Sequence, residues 1–260
     1  MLRTQRSTIR VDPRYASART FGAVHSPGVA EIVKAMILAA GLGTRMRPLT
    51  LTTPKPLIPA LGKPLIVYQI ENLVRAGVTD IVINHAWLGE QIEQTLGGGE
   101  QFGCSLRYSA EQAPLESAGG IRKALPLLST EDSDQPFLLV NGDVYVSQEY
   151  AELDLTLDSD DLAKLWLVDN PNWHANGDFA LSDHRVSLQG DEMLTFAGVS
   201  LLRPSQFDSL VLNEKAALAP LLRRMIEQSK VAGAKLGGYW NDVGTVDRLA
   251  DVEMFLKEAG

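Results

Sequence analysis

Leu38-Ala39-Ala40-Gly41-Leu42-Gly43-Thr44-Arg45-Met46-Arg47-Pro48-Leu49-Thr50, followed closely by Thr53-Pro54-Lys55-Pro56, ends a short apolar strand in a glycine loop and then presents two cations. Backbone N–H groups in such a loop can face phosphate oxygens, a build suited to a nucleoside triphosphate. From Ile32 to Ile70 there is no Asp or Glu, whereas Lys34, Arg45, Arg47, Lys55 and Lys63 lie there. In a chain of net charge −8 this stretch is an electropositive island, and a polyanionic ligand is its simplest cause. The loop is not a dinucleotide fingerprint, because Met46 stands where a third glycine belongs. Nor is it a P-loop, because no Gly-Lys-Ser/Thr follows. Taken alone it is equally compatible with a tight strand-to-helix turn carrying two solvated cations.

Outward from this stretch, apolar strand candidates recur at 34–39, 80–84, 105–108, 137–141 and 163–168. Helical patterns over 64–77, 87–96 and 118–128 lie between them, and Gly77 is a natural stop for the first. The alternation predicts an α/β fold with a mostly parallel twisted sheet and helices on both faces. After residue 168 a polar loop spans Asn170–Asp178, and short strands at 178–182, 185–188 and 194–202 read as an antiparallel subdomain. Helices near 215–228 and 245–258 close the chain, the last with Thr245 as N-cap and Asp247 in its first turn. The segment Thr130–Pro136 reads as a polar surface loop.

Length and a 45% hydrophobic content allow a substantial core. No apolar run approaches the roughly 20 residues of a membrane span. One cysteine, Cys104, excludes an intramolecular disulfide framework and makes the cytoplasm the default compartment. The acidic balance disfavours nucleic acid. His25, His85, His174 and His184 show no metal-ligand spacing. Residues 1–32 differ from the rest, with five arginines against Asp12 and Glu31 and no apolar periodicity, and read as a disordered extension before a domain at 33–260. Val33-Lys34-Ala35-Met36 suggests that Val33 is encoded by an alternative start codon, which peptides from residues 3–19 in the native protein would refute.

Two further segments carry carboxylates. Val140-Asn141-Gly142-Asp143 ends an apolar strand, where a parallel sheet presents its ligand crevice. Asp242, in Tyr239-Trp240-Asn241-Asp242-Val243-Gly244-Thr245, sits in a turn before the last helix. Two Asp residues and the phosphates could hold one Mg²⁺; each Asp also reads as an ordinary turn residue.

The order Leu-Ala-Ala-Gly-x-Gly-Thr-Arg, Pro-Lys-Pro, Asn-Gly-Asp and Trp-x-Asp-Val-Gly-Thr resembles the sugar-1-phosphate nucleotidylyltransferases over roughly residues 33–260. Ile83–Gly89, Leu115–Ile121, Leu167–Pro171 and Gly177–Phe179 add to the likeness and point to a member that uses UTP in cell-wall recycling. The resemblance implies a Rossmann-like three-layer fold, with a small antiparallel part on the sugar side, and a Mg²⁺-dependent reaction of UTP with a sugar 1-phosphate. It implies that Ala40, Gly41 and Gly43 bind nucleotide, Arg45 serves the leaving pyrophosphate and Lys55 the α-phosphate and the sugar phosphate. Asp143 and Asp242 would hold Mg²⁺, while Glu116, Asn141, Asp178 and Gly198 would form the sugar side. Ser117-Ala118 departs from the Thr-Gly of the pattern. Rival readings are a relative using mannose 1-phosphate with GTP or glucose 1-phosphate with dTTP or UTP, an inactive nucleotide-sugar sensor, and an interaction protein whose loop is only structural. Oligomeric state is not legible.

Overall fold

The computed structural model describes residues 34–129 and 133–259. The leader 1–32, the alternative-start reading at Val33 and residues 130–132 of the polar loop lie outside the described residues.

In chain order the strands and α-helices are β1 (Ala35–Leu38), β2 (Pro59–Ala60), β3 (Lys63–Pro64), α1 (Leu65–Arg75), β4 (Asp80–His85), α2 (Gly89–Leu96), β5 (Ser105–Ala110), α3 (Glu116–Leu128) and β6 (Phe137–Asn141). There follow β7 (Val144–Val146), β8 (Ala163–Val168), β9 (Phe179–Ser182), β10 (Arg185–Ser187), β11 (Met193–Leu202), α4 (Leu218–Glu227), β12 (Val231–Lys235), β13 (Trp240–Asp242) and α5 (Val246–Ala259). Every strand and helix expected from the periodicity is present. Gly77 stops α1 as expected: it adopts φ +81°, its N–H reaches the Val74 carbonyl and the Val78 N–H reaches the Leu73 carbonyl.

Among the described residues nine strands form one sheet, in the order β5-β4-β1-β6-β11-β8-β12-β10-β9. The first four are mutually parallel; β11 then runs antiparallel between β6 and β8. The short strands β9 and β10 extend this same sheet at its far edge rather than forming a sheet of their own. β12, parallel to β8, is not visible in the sequence pattern. Its small residues carry little strand propensity, and Gly233 is required because a Cβ there would lie 2.6 Å from Val186.

Alternation along β1 sorts the core into two layers. Ala35 and Ile37 pack with Ile66, Ile70 and Leu73 of α1, while Met36 packs with Ala118 and Ile121 of α3 on the other face. The chain therefore leaves β1 for β4 over one face and returns to β6 over the other, so β1 and β6 flank a topological switch point. Their carboxyl ends, Leu38 and Asn141, are register partners. A third cluster joins Met46 to Ile58, Leu65, Tyr145, Val243 and Val252. Met46, which occupies the place of the missing glycine, is fully buried and anchors the loop; burial of such a side chain contributes about 1.5–3 kcal/mol.

Candidate active site

At the switch point lies a cleft of about 280 Å³ lined by Leu38, Ala39, Ala40, Gly41, Lys55, Asn84, Glu116, Asn141 and Asp143. A wider depression of about 400 Å³ opens around Asp80, Cys104 and Arg107, at the amino ends of β4 and β5, remote from these residues.

The glycine loop has two kinds of glycine. Gly43 adopts φ +60°, and a Cβ there would lie 2.7 Å from Thr50 Cγ2, so the turn itself demands glycine. Gly41 has open space where its Cβ would be, which leaves the backbone approachable. Among the described residues, the N–H groups of Ala40 and Gly41 donate no hydrogen bond. Behind the loop is a polar relay that the sequence reading missed. The Ala39 N–H donates to Asn84 Oδ1 (2.9 Å), the Asn84 amide donates to Glu111 Oε1 (2.7 Å), and the Leu115 N–H donates to Glu111 Oε2 (2.8 Å). Asn84 and Glu111 are both buried, and Gly120 makes room for them. No motif pointed to this pair, because its members meet only when β4 and β5 are in register.

Lys55 is buried and its Nζ donates to Asp143 Oδ2. The turn that carries Asp143 is fixed by Gly142, whose N–H donates to the Leu38 carbonyl (2.9 Å) and whose Cβ, if present, would lie 2.9 Å from that oxygen. β13 pairs with β7, Asp242 standing opposite Val144, and the Val243 N–H donates to the Asp143 carbonyl (2.9 Å). Two aspartates 99 positions apart in the sequence are thus brought near each other, Asp143 in the turn before β7 and Asp242 at the end of β13, the strand paired with β7. Asp242 Oδ1 accepts from Arg248 Nη1 and from Trp173 Nε1 (3.0 Å). Arg45 is exposed and points toward Gly244: its Nη2 lies 3.1 Å from the position of a Gly244 Cβ. Thr245 caps α5 as expected, its Oγ1 accepting the Arg248 N–H (3.3 Å).

On the opposite wall Gly198 adopts φ +74° in a bulge of β11 between Phe196 and Val199. A Cβ there would lie 2.6 Å from the Asn141 amide, so the two residues pack directly. Glu116 is exposed at the cleft with φ +61°, an uncommon conformation for a residue other than glycine. The Ser117 hydroxyl accepts the Leu218 N–H (3.0 Å), a task that needs a hydroxyl but not a threonine methyl. Asp178 is engaged within the protein, one oxygen accepting the Phe196 N–H (2.9 Å) and the other facing His174 Nε2 (3.0 Å). The structure therefore brings Ala40, Gly41, Lys55, Glu116, Asn141 and Asp143 to one cleft, with Gly198 against Asn141; Arg45 and Asp242 lie to one side, and Asp178 orders the loop that carries Trp173.

Residues 34–163 match the family described as nucleotidyl transferase. Over 228 residues, 85% of this chain and 97% of the relative, the sequence is 50% identical to N-acetylmuramate alpha-1-phosphate uridylyltransferase of Neisseria meningitidis serogroup B. It is 32% identical over 225 residues to mannose-1-phosphate guanyltransferase of Candida albicans, covering 82% of this chain but 61% of that one. Among solved structures, a putative glucose-1-phosphate thymidylyltransferase from Bacillus anthracis shares the fold, with TM-score 0.74 and 20% identity over 86% of this chain and 95% of that one.

Proposed function

Since this chain belongs to the nucleotidyl transferase family and is a sugar-1-phosphate nucleotidyltransferase, we propose that it transfers the uridylyl group of UTP to N-acetylmuramate 1-phosphate, giving UDP-N-acetylmuramate and pyrophosphate. The observation that carries the chemistry is the pairing of β13 with β7, which sets Asp242 near the turn of Asp143, whose carboxylate holds Lys55. The choice of UTP and sugar rests on the 50% identity to the uridylyltransferase. Such a reaction would serve peptidoglycan recycling in the cytoplasm. No helix among the described residues is long and apolar enough to cross a membrane.

The donor set fits Mg²⁺. The carboxylates of Asp143, in the turn before β7, and Asp242, on the paired β13, offer hard oxygen ligands, and among the described residues no group of three or more His, Cys, Asp or Glu is placed to hold a metal. One or two carboxylates completed by phosphate oxygens and waters is the environment Mg²⁺ takes. Bound there by Asp143 and Asp242, the ion would neutralise phosphate charge and orient the triphosphate.

The rest falls to the protein's own groups. The sugar phosphate is already an anion, so its attack on the α-phosphorus needs no general base. The bond from that phosphorus to the sugar-phosphate oxygen forms as the bond to the bridging oxygen of pyrophosphate breaks. The N–H groups of Ala40 and Gly41 bind the nucleotide. Lys55 supplies charge at the α-phosphoryl group, and Arg45 supplies it at the leaving pyrophosphate. Glu116, Asn141 and Gly198 form the sugar side, where hydrogen bonding and shape select the acceptor. Asp178 acts there indirectly by fixing the loop that bears Trp173.

The test is pyrophosphate release with Mg²⁺ across a grid of sugar 1-phosphates and nucleoside triphosphates. The expected preferred pair is N-acetylmuramate 1-phosphate with UTP. A preference for mannose 1-phosphate with GTP would replace the substrate reading and leave the reaction class standing. No release with any pair would favour a nucleotide-sugar sensor.

A further inference from the structure

We propose that Arg248 is a further phosphate-binding residue of this reaction, held on Asp242 until substrate arrives and then turned, beside Arg45, onto the pyrophosphate half of the triphosphate. The inference rests on the nucleotidyl-transfer reading above.

Arg248 stands in the first turn of α5 and donates through Nη1 to the carboxylate and to the backbone carbonyl of Asp242, the latter at 3.0 Å. Its guanidinium carbon lies 4.5 Å from the centre of the Trp173 ring, and the Trp173 indole donates to the same Asp242 oxygen. Its side chain is only 13% exposed, so its charge is largely withdrawn from water. Arg45 approaches the same place: Arg45 Nη2 and Arg248 Nη1 each lie 3.1 Å from the point a Gly244 Cβ would occupy. Arg45 has no acidic partner among the described residues.

Two guanidinium groups therefore approach one point beside Gly244 while a single carboxylate, that of Asp242, pairs with Arg248 alone, leaving positive charge in excess at the edge of the cleft. Their mutual repulsion is relieved by a second anion, and the planar fork of Arg suits phosphate oxygens. A divalent cation on Asp242 repels the Arg248 guanidinium, and one that takes Oδ1 displaces both of its present donors. When that oxygen is taken up, Arg248 and the Trp173 indole lose their shared acceptor together. The nearest anion left to Arg248 is then the phosphate that Arg45 serves.

Binding measurements on the full chain separate this role from a structural clamp. The probes are Mn²⁺ alone and inorganic pyrophosphate at saturating Mn²⁺. Arg248→Gln is expected to weaken pyrophosphate at least tenfold while leaving Mn²⁺ binding equal or tighter, because Asp242 is freed. Arg248→Lys is expected to lie between, and it keeps the charge should the Gln variant fail to fold. Tryptophan fluorescence of the wild type is expected to change on Mn²⁺ addition, and Trp173→Phe to remove that change. Pyrophosphate affinity of either foldable variant within twofold of wild type, or Mn²⁺ weakened in parallel with pyrophosphate, overturns the proposal. Failure of wild type itself to bind pyrophosphate overturns the nucleotidyl-transfer reading along with it.

Discussion

Asp143 and Asp242 each hold a cation on one oxygen, Lys55 in the first case and Arg248 in the second. Replacing either carboxylate by the amide keeps an acceptor for that cation but removes the negative charge. Asp143→Asn and Asp242→Asn are therefore expected to cut turnover by at least on the order of 10²–10³-fold, with thermal unfolding close to wild type. Near-normal turnover in both variants would remove them from the metal site. Cys104 is the opposite kind of residue. Burial, and then the charge of Glu100, push its thiol up to about 11, so it stays protonated at neutral pH. Labelling by a thiol reagent at pH 8 is expected to be slow in the native protein and rapid once it is unfolded; fast native labelling contradicts this. At this scale the sequence was readable where residues act within one short motif. Gly41, Lys55, Asn141 and Asp143, which come to line one cleft, belong to that group. It was unreadable where partners are remote, as for Trp173 and Asp242, separated by 69 positions.

Elements with a strong period or a distinct end were legible for physical reasons. β1 is a run of buried apolar residues closed by a glycine loop, and α1 ends where Gly77 supplies a left-handed turn. β7 and β13 were not, because three-residue strands carry too little period to detect. Nor did the sequence reveal that β9 and β10 join the main sheet, since pairing partners are a tertiary outcome. The bulge in β11 is the element-scale feature tied most directly to the substrate wall. Gly198→Ala must adopt a left-handed conformation and displace the Asn141 amide, which together are expected to cost about 1–3 kcal/mol. Denaturant unfolding checks the cost. Steady-state kinetics should show KM for the sugar phosphate rising more than KM for UTP, and equal rises would detach Asn141 from the acceptor.

Across the whole molecule, the cleft gathers groups from β1, β4, β6, the turn after β6 and the start of α3, so ligand and fold stabilise each other. With UTP and Mg²⁺ at about 100 times the dissociation constant, folding free energy should rise by roughly 2.7 kcal/mol. A thermal melt reads this directly, and no upward shift would argue against a preformed triphosphate site. The fold class was legible because alternating strand and helix periods are local properties. The order of strands was not, because the crossing from β5 to β6 passes over both β4 and β1. The buried Asn84–Glu111 pair has a bearing on how this enzyme class can be re-engineered. One carboxylate joins the end of β1 to the loop before α3, so those two rims of the cleft are not interchangeable parts. A transplanted rim would arrive without its share of the relay and leave a donor or an acceptor stranded in the interior. Changes of nucleotide or sugar preference should therefore succeed as a block that carries both rims and their hidden tie, and fail as single-loop grafts.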